Sequence, residues 1–402
     1  MYGELKEELY LEQPEGFVVP GRENDVCRLQ KSLYGLKQAP RAWNNKFNEF
    51  LVKFGLSRCS SDHCVYYRRQ EEEITFVLIF VDDGLVCSNR ADTLTDILEH
   101  LKTFFEVRFF PANRFLGLDI NRDREKRQLH LSQPDFISKI LERFNMQTCH
   151  PKGTPADPNA RRSNLMQPAD LVADHQNTSP VPYREAIGSL IYVMTMTRPD
   201  IAFSVSQASQ FCENPGKGHW NGVKRILAYL AGTSHFGLLF DGNKEEKLIG
   251  YSDSDFAGNV DNRRSVSGLL FMLCGSSISW ASRLQRCVSL STTEAEFIAA
   301  CESTKEAVWL RSLLSEILGV SNGSTPLFCD NEGAIRLVKN PEFHQRTKHI
   351  DIKYHFIREK HQDKEIEIVY TSTENQLADL FTKPLPTPRF NQLRKQIGVQ
   401  PL

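Results

Sequence analysis

The chain has 402 residues, which corresponds to about two to three domains and is long enough to bury a sizeable core. Hydrophobic residues make up 40% and charged residues 25%, which excludes a disordered tail, a collagen and a coiled-coil rod. The 49 basic and 50 acidic residues nearly cancel, so any nucleic-acid surface must come from a local concentration of charge.

The apolar and cysteine patterns are those of an intracellular protein. The longest apolar run, residues 76–81, is far shorter than the roughly 20 residues of a membrane-spanning helix. The start of the chain is acidic, unlike the basic start of a signal peptide. The ten cysteines include no Cys-x-x-Cys pair and fit a reducing compartment. We therefore expect no membrane partner and no secretion.

Residues 1–150 predict a mixture of helices and short strands. Helical spacing of aromatic residues predicts a helix over 39–54. The apolar run 74–81 predicts a buried strand, followed by a hairpin with an Asp-Gly turn. Further helices are predicted over 94–105 and 136–144, and further strands over 114–120 and 128–131.

The segment 151–182 differs in composition from both of its neighbours. It contains six prolines, many polar residues and no apolar periodicity. This composition predicts a linker or a long surface excursion.

The remainder predicts a helical segment and then an α/β layered domain. The helices span 183–211, with a break at Pro199, and 219–230. Three strands, a long helix and alternating strands and helices follow, at 248–252, 265–274, 277–281, 294–318, 327–329, 334–339, 348–360, 366–370 and 375–382.

Four acidic residues occupy positions of this domain where catalysis would need them. Asp253 and Asp330 end strands, Glu296 lies in the first turn of the long helix, and Asp379 lies in the last predicted helix. Strand ends and helix starts of an α/β sheet converge on one rim. Four carboxylates there need cations between them, and Mg²⁺ prefers such oxygen ligands. Two such ions can activate a water and stabilise a departing phosphodiester oxygen.

Each acidic residue also has an ordinary structural explanation. Asp253 and Asp330 fit turns after strands, and Asp379 fits a solvated helix. Glu296 fits a capping box with Thr293. Only their joint placement favours a metal site.

The second half of the chain contains five long stretches in a characteristic order: GYSDSDFAG, LSTTEAEFIAACESTKEAVWL, LFCDNEGAI, TKHIDIKYHFIRE and TENQLADLFTKPLP. This ordered set resembles the ribonuclease H domain of copia-type LTR retrotransposon Pol polyproteins. It implies two-metal hydrolysis of the RNA strand of an RNA–DNA hybrid, with Mg²⁺, or Mn²⁺ as an alternative. The implied ligands are Asp253, Glu296, Asp330 and Asp379, with Asp253 bridging both ions and Asp255 secondary.

The first half is similar to the reverse transcriptase of the same family. KSLYGLKQAPRAW resembles the stretch lining the template and incoming nucleotide, which implies contacts from Lys37 and Gln38. FVDDG resembles the paired-aspartate hairpin, which implies Asp82 and Asp83 as metal ligands, and RFLGLDI resembles the segment before the primer grip. A plain Asp-Gly hairpin turn remains the structural alternative.

One catalytic element of that resemblance is missing. In the family, the third aspartate lies on a strand just upstream of the segment that matches the first residues of this chain. No Asp precedes Asp25 here. We therefore expect a truncated reading frame or fragment that binds metal weakly at Asp82 and Asp83 and does not extend a primer.

A basic stretch near the end of the chain is a candidate nucleic-acid surface. Residues 344–364 carry six Lys or Arg against three acidic residues, and the candidate phosphate contacts are Arg346, Lys348, His349 and Lys353. A solvated basic helix explains the stretch equally well. The stretch SQFCENPGKGHWNGVKRILAYLAGT resembles the family's connection between polymerase and nuclease. Its Lys224 and Arg225 have the same two explanations, phosphate contacts or a solvated helix face.

The sequence as a whole predicts an α+β and α/β multidomain protein with a partial reverse transcriptase palm and thumb before a ribonuclease H-like domain. The expected limits are 1–150, a linker 151–182, a connection 183–245, a nuclease domain 246–385 and a tail 386–402. The expected partners are an RNA–DNA hybrid, template RNA, a DNA primer and other Pol chains. The resemblance implies a cytoplasmic virus-like particle or the nucleus. The alternative is a catalytically silent nucleic-acid-binding protein, domesticated or decaying.

Overall fold

The computed structural model describes residue 5 and residues 7–33, 35–159, 181–319, 323–339 and 348–402, with only the backbone over 348–354. They form two compact units. The first unit consists of the residues up to Ala112 with Glu316–Gly319, and the second of Asn113–Ser315 with Val320–Leu402. The boundary between the units, after Ala112, lies before the domain limit expected at residue 150. The domain limits taken from the sequence stay a prediction.

The first unit has an α+β arrangement. Its elements are β1 (Tyr10–Glu12), β2 (Val26–Arg28), α1 (Ala39–Lys53), β3 (Ser57–Arg58), β4 (Val65–Gln70), β5 (Glu73–Phe80), β6 (Asp83–Ser88) and α2 (Ala91–Phe104). Strands β3, β4, β5 and β6 form an antiparallel sheet in that order, and β1 pairs with β2. The predicted helix over 39–54 is confirmed.

The apolar core of the first unit lies between its two helices and one face of the sheet. Phe47, Phe50 and Leu51 of α1 are buried, and the same cluster includes Tyr66 and Val77 of the sheet. The strand predicted over 74–81 is confirmed as β5, but only its alternate residues Thr75 and Val77 are buried, so the expectation that the whole run is buried is wrong. A strand with its core on one side buries every second side chain.

The turn of the hairpin between β5 and β6 lies two residues earlier in the chain than predicted. Phe80 pairs with Asp83, which leaves Val81 and Asp82 as the two turn residues. Val81 adopts a φ of +56°, a left-handed conformation that two-residue hairpins require. The predicted Asp-Gly turn is therefore wrong, and Gly84 lies within β6.

The second unit contains two five-stranded sheets. Its elements are β7 (Arg114–Phe115), β8 (Leu118–Asp123), β9 (Gln128–Ser132), α3 (Pro134–Arg143), α4 (Tyr183–Met196), α5 (Ala202–Ser209), α6 (Lys217–Ala231), β10 (Phe236–Asp241), β11 (Ile249–Ser254), β12 (Val266–Leu273), β13 (Ser276–Leu284), α7 (Thr292–Leu318, whose end belongs to the first unit), β14 (Thr325–Cys329), α8 (Glu332–Lys339), α9 (Lys348–Gln362), β15 (Ile366–Tyr370), α10 (Thr387–Gln396) and β16 (Val399–Pro401). Short 3-10 helices span Pro199–Ile201, Thr373–Asn375 and Leu377–Phe381.

The strand order separates the two sheets by type. The first sheet is antiparallel, in the order β16-β10-β9-β8-β7. The second has the order β13-β12-β11-β14-β15, in which the first three strands are antiparallel and the last three parallel. The expected mixed α+β and α/β fold class is confirmed.

The end of the chain differs most from the sequence-based expectation. Residues 375–382 form 3-10 turns rather than the predicted helix. The segment 386–402, expected as a tail, forms α10 and β16, and β16 pairs with β10. Leu393, Ile397 and Val399 are buried in the main core of the unit, which explains why this segment is ordered.

The start of the predicted linker packs onto the second unit. Thr154 and Ala156 are buried, and Arg225 donates hydrogen bonds to the carbonyl and the hydroxyl of Thr154. Residues 160–180 of that linker lie outside the described residues. Among the residues that are described, no helix has the length and apolar character needed to cross a bilayer.

Candidate metal centre

Strand β11 carries Asp253 into a crowded position in the middle of the second sheet. Asp253 is 2% exposed and pairs with Gly268 of β12. A Cβ atom at Gly268 would lie 2.7 Å from the Thr382 side chain and 3.0 Å from the Ala378 carbonyl oxygen. A glycine is therefore required for the 3-10 turn that carries Asp379 to approach the strand beside Asp253.

Helix α7 and strand β14 bring two further carboxylates to Asp253. Glu296 lies in the second turn of α7 and is 6% exposed. Asp330 follows β14, which runs parallel to β11, and accepts a hydrogen bond of 2.8 Å from Thr373 Oγ1. One carboxylate oxygen from each of the three residues lies within 4.8 Å of the other two. Three of the four predicted ligands thus share one cluster.

One carboxylate of this cluster lacks a partner that a buried charge needs. Glu296 Oε2 is buried and has no hydrogen-bond partner. Burial raises the pKa of Asp253, and Asp379 and Asp330 raise it further. Burial also raises the pKa of Glu296, with the charges of Asp253 and Asp330 acting in the same direction. A divalent cation would supply the missing countercharge and would be coordinated by the orphaned oxygen, so these residues fit a Mg²⁺ site.

Asp379, the fourth predicted ligand, faces cations of the protein itself. Lys383 Nζ lies 2.6 Å from Asp379 Oδ1, and Arg389 lies 3.6 Å from Asp379 Oδ2. The same ammonium lies 3.8 Å from Asp253 Oδ2, which also accepts a hydrogen bond from Thr382 Oγ1. Asp379 therefore adjoins the three-carboxylate cluster through Lys383.

Asp255, the secondary acidic residue, holds the loop after β11. Its Oδ1 accepts a hydrogen bond of 2.5 Å from the Val266 backbone N–H. Burial raises the pKa of Asp255 to about 6. Asp255 has a structural role here and is not one of the three clustered carboxylates.

Gln285 connects the elements that carry the clustered carboxylates, and sequence reasoning missed it. Its buried amide group donates to the hydroxyls of Ser254 and Ser267 and to the Ala295 carbonyl. Its oxygen accepts a hydrogen bond from Ser289. Gln285 therefore holds the end of β11 against the first turn of α7. No motif marks it, whereas Thr382 and Lys383 lie within the TENQLADLFTKPLP stretch.

The predicted polymerase residues lie on the surface of the first unit. Asp82 and Asp83 are exposed at the hairpin tip, and Lys37 is exposed just before α1. Gln38 is the N-cap residue of α1. Trp43 of α1 donates a hydrogen bond of 2.9 Å to the Val81 carbonyl, which fixes the tip against the helix.

The predicted phosphate contacts fall at the edge of the described chain. Arg346 lies outside the described residues, and of Lys348, His349 and Lys353 only the helical backbone is described. Farther along α9, Lys360 forms an ion pair of 2.9 Å with Glu365. In the connection, Arg225 pairs with Asp157 at 3.3 Å, which favours the structural explanation of Arg225.

Comparisons with known proteins identify the family. A family model described as "Reverse transcriptase (RNA-dependent DNA polymerase)" matches residues 1–158. The chain is 45% identical over 401 residues to the "Retrovirus-related Pol polyprotein from transposon TNT 1-94" of Nicotiana tabacum, covering 99% of this chain and 30% of that protein. The chain belongs to the copia-type family of retrotransposon Pol polyproteins.

The comparisons with this Pol chain also found a second plant relative and a solved structure. It is 39% identical over 401 residues to the "Retrovirus-related Pol polyprotein from transposon RE1" of Arabidopsis thaliana, covering 99% of this chain and 27% of that protein. It spans less than a third of both plant relatives. Among solved structures, a foamy viral protease-reverse transcriptase in complex with RNA/DNA hybrid has a TM-score of 0.48 and 14% identity, covering 89% of this chain and 40% of that chain.

Proposed function

We propose that the second unit hydrolyses the RNA strand of RNA–DNA hybrids, with divalent metal ions bound by Asp253, Glu296, Asp330 and Asp379. The observation that carries the proposal is the buried cluster of three carboxylates, in which one Glu296 oxygen has no partner. Its location also supports the proposal, because the cluster lies on a sheet whose parallel and antiparallel strands meet at β11. Mg²⁺ is the metal that all-oxygen ligands favour.

The residues of the site divide the work between binding and positioning. Held by Asp253, Glu296, Asp330 and Asp379, a pair of metal ions would supply an activated water and stabilisation of the leaving oxygen of the phosphodiester. The three clustered carboxylates and Asp379 hold charge at fixed positions. Thr382 orients Asp253 through a direct hydrogen bond, and Gln285 holds Ser254 and Ala295, the chain neighbours of Asp253 and Glu296. The sheet supplies the rigid support that such a site requires.

A hybrid-cleavage assay with a labelled RNA strand tests this function. We expect Asp253→Asn and Glu296→Gln each to reduce cleavage by more than about 100-fold, the upper range for loss of groups that only support metal ligands. Glu332→Gln is the matched control, since Glu332 lies two residues after Asp330 but is exposed and paired with Arg336. Equal cleavage by the wild-type protein and both site variants would falsify the assigned roles.

We also propose that this chain does not extend a primer by itself. Asp82 and Asp83 are exposed, and the only group of three metal-ligating side chains found among the described residues is the one in the second unit. Polymerase chemistry with two metal ions needs a third carboxylate beside such a pair. Primer extension by the purified 402-residue chain on an RNA template, abolished by Asp83→Asn, would contradict this proposal.

The partners follow from the proposed activity. An RNA–DNA hybrid is the substrate, and recognition depends on duplex shape and 2′-hydroxyl groups rather than on base sequence. Lys353 of α9 is a proposed phosphate contact. Charge reversal there should weaken hybrid binding and reduce its salt dependence by about one unit of slope. If hybrid binds but is not cleaved, the chain is a silent nucleic-acid-binding protein.

A further inference from the structure

Lys383 has an unusual position within the candidate metal centre. Its ammonium lies 2.6 Å from Asp379 Oδ1 and 3.8 Å from Asp253 Oδ2, so it bridges two of the four carboxylates. Asp253 also belongs to the cluster with Glu296 and Asp330. Among the described residues, no lysine or arginine forms an ion pair with Glu296 or Asp330. The negative charge of Asp379 and Asp253 is therefore balanced by cations of the protein, whereas that of Glu296 and Asp330 is not.

The two cations beside Asp379 differ in their freedom to move. Arg389 is held by hydrogen bonds of 2.6 Å and 3.0 Å to the carbonyls of Glu374 and Thr373. The Lys383 side chain is 40% exposed, and its ion pairs in the described chain are with the two carboxylates alone. A lysine on a flexible stem can leave for solvent, while the anchored arginine cannot do so without breaking those bonds.

Charge arithmetic makes Lys383 a competitor for metal. A divalent ion bound by Asp253 and Asp379 would lie close to the ammonium, and the Coulomb repulsion between them is twice that between two unit charges at the same distance. The ion and the ammonium cannot both be held by these two carboxylates. Either the second ion stays out or Lys383 withdraws.

We propose that Lys383 is a displaceable counter-cation that competes with the second divalent ion for Asp253 and Asp379. This inference rests on the proposed function of the same site. With Lys383 in place, the centre holds one ion at Asp253, Glu296 and Asp330 and compensates Asp379 internally. Withdrawal of the ammonium admits the second ion, so Lys383 sets the metal concentration at which the centre fills.

Titration of the full chain with Mn²⁺, followed by calorimetry and by the electron paramagnetic resonance of free Mn²⁺, tests the proposal without an activity measurement. We expect Lys383→Met to tighten the weaker Mn²⁺ site about tenfold, which corresponds to about 1.4 kcal/mol. Lys383→Arg keeps the charge and should leave the weaker site no tighter than in the wild-type protein. Lys395→Met removes an exposed lysine of α10 and controls for the change in net charge.

The outcomes separate this inference from the function on which it rests. Identical isotherms for the wild-type protein and Lys383→Met, or an equal shift with Lys395→Met, would overturn the competition. If Asp253→Asn binds Mn²⁺ as the wild-type protein does, the metal centre itself is wrong and both proposals fail. Circular dichroism checks folding, and Lys383→Gln replaces the methionine variant if that variant does not fold.

Discussion

The two acidic sites of this chain differ in what surrounds their carboxylates. Asp82 and Asp83 project from a hairpin tip into solvent, where water screens their charges. Asp253 and Glu296 are buried, and a Glu296 oxygen has no partner. A solvated pair of carboxylates is stable without metal, whereas a buried cluster is stable only if protons or cations neutralise it. Burial, more than the number of acidic residues, thus distinguishes the candidate metal centre of the second unit from the pair at the hairpin tip.

A metal site also depends on groups that never touch the metal. At the buried cluster, Gln285 ties β11 to α7 and Gly268 leaves room for the turn of Asp379. At the hairpin tip, the comparable support is the single hydrogen bond from Trp43 to the Val81 carbonyl. The sequence motifs that imply the six metal ligands say nothing about this difference in support.

The prediction with the largest expected effect removes the support of the buried cluster. Gln285→Leu removes the donor to the Ser254 hydroxyl and the acceptor of the Ser289 hydroxyl, and it releases the Ala295 carbonyl at the start of α7. We expect Mn²⁺ affinity to fall about 10- to 100-fold, as for other groups that orient metal ligands. We also expect about 1–3 kcal/mol of lost stability from the unsatisfied polar groups.

Gln133→Leu is the matched control for that experiment. Gln133 is another buried glutamine of the second unit, and its oxygen accepts a hydrogen bond from Thr197. Its loss should lower the free energy of unfolding and leave Mn²⁺ affinity unchanged. If both variants lose affinity in proportion to lost stability, Gln285 has no specific role in positioning the site.

Sequence reasoning found the carboxylates because strand ends and helix starts are local features. Asp253, Glu296 and Asp330 were placed on one rim from such features, and the structure brings them together. Gln285 could not be found from the sequence, because its role depends on hydrogen bonds to four partners from separate parts of the chain. The hairpin register was predicted wrongly because Asp-Gly is a strong turn signal. In the structure, Phe80 pairs with Asp83, which places the turn at Val81 and Asp82. Long-range packing decides both.

The second prediction concerns the pH dependence of stability without metal. Because the pKa values of Asp253 and Glu296 are raised, the folded protein holds protons that the unfolded chain releases. Unfolding free energy in EDTA should therefore fall as pH rises from about 4 through the raised pKa values, by about 1.4 kcal/mol per unit of pKa shift. Asp255, with a pKa of about 6, acts in the same direction.

Saturating Mg²⁺ should remove that loss, because metal binding needs deprotonated ligands and strengthens as pH rises. Denaturant unfolding at several pH values, with EDTA and with Mg²⁺, measures both slopes. Glu296→Gln should flatten the slope in EDTA, since an amide does not titrate. A stability that rises with pH in EDTA would show that these carboxylates are not buried as a cluster.

The smallest expected effect lies at the exposed site and tests the register of its hairpin. Val81 is β-branched and 51% exposed, yet holds a φ of +56°, a conformation that costs such residues about 1–3 kcal/mol. Asparagine adopts that conformation more readily and keeps the carbonyl that accepts the Trp43 hydrogen bond. Val81→Asn should therefore stabilise the first unit by about 1 kcal/mol in denaturant unfolding. If the turn instead lay at Asp83 and Gly84, Val81 would be a strand residue and the same substitution would destabilise the unit, because asparagine is a poor strand former. The sign of this one change thus decides which residues form the tip that presents Asp82 and Asp83.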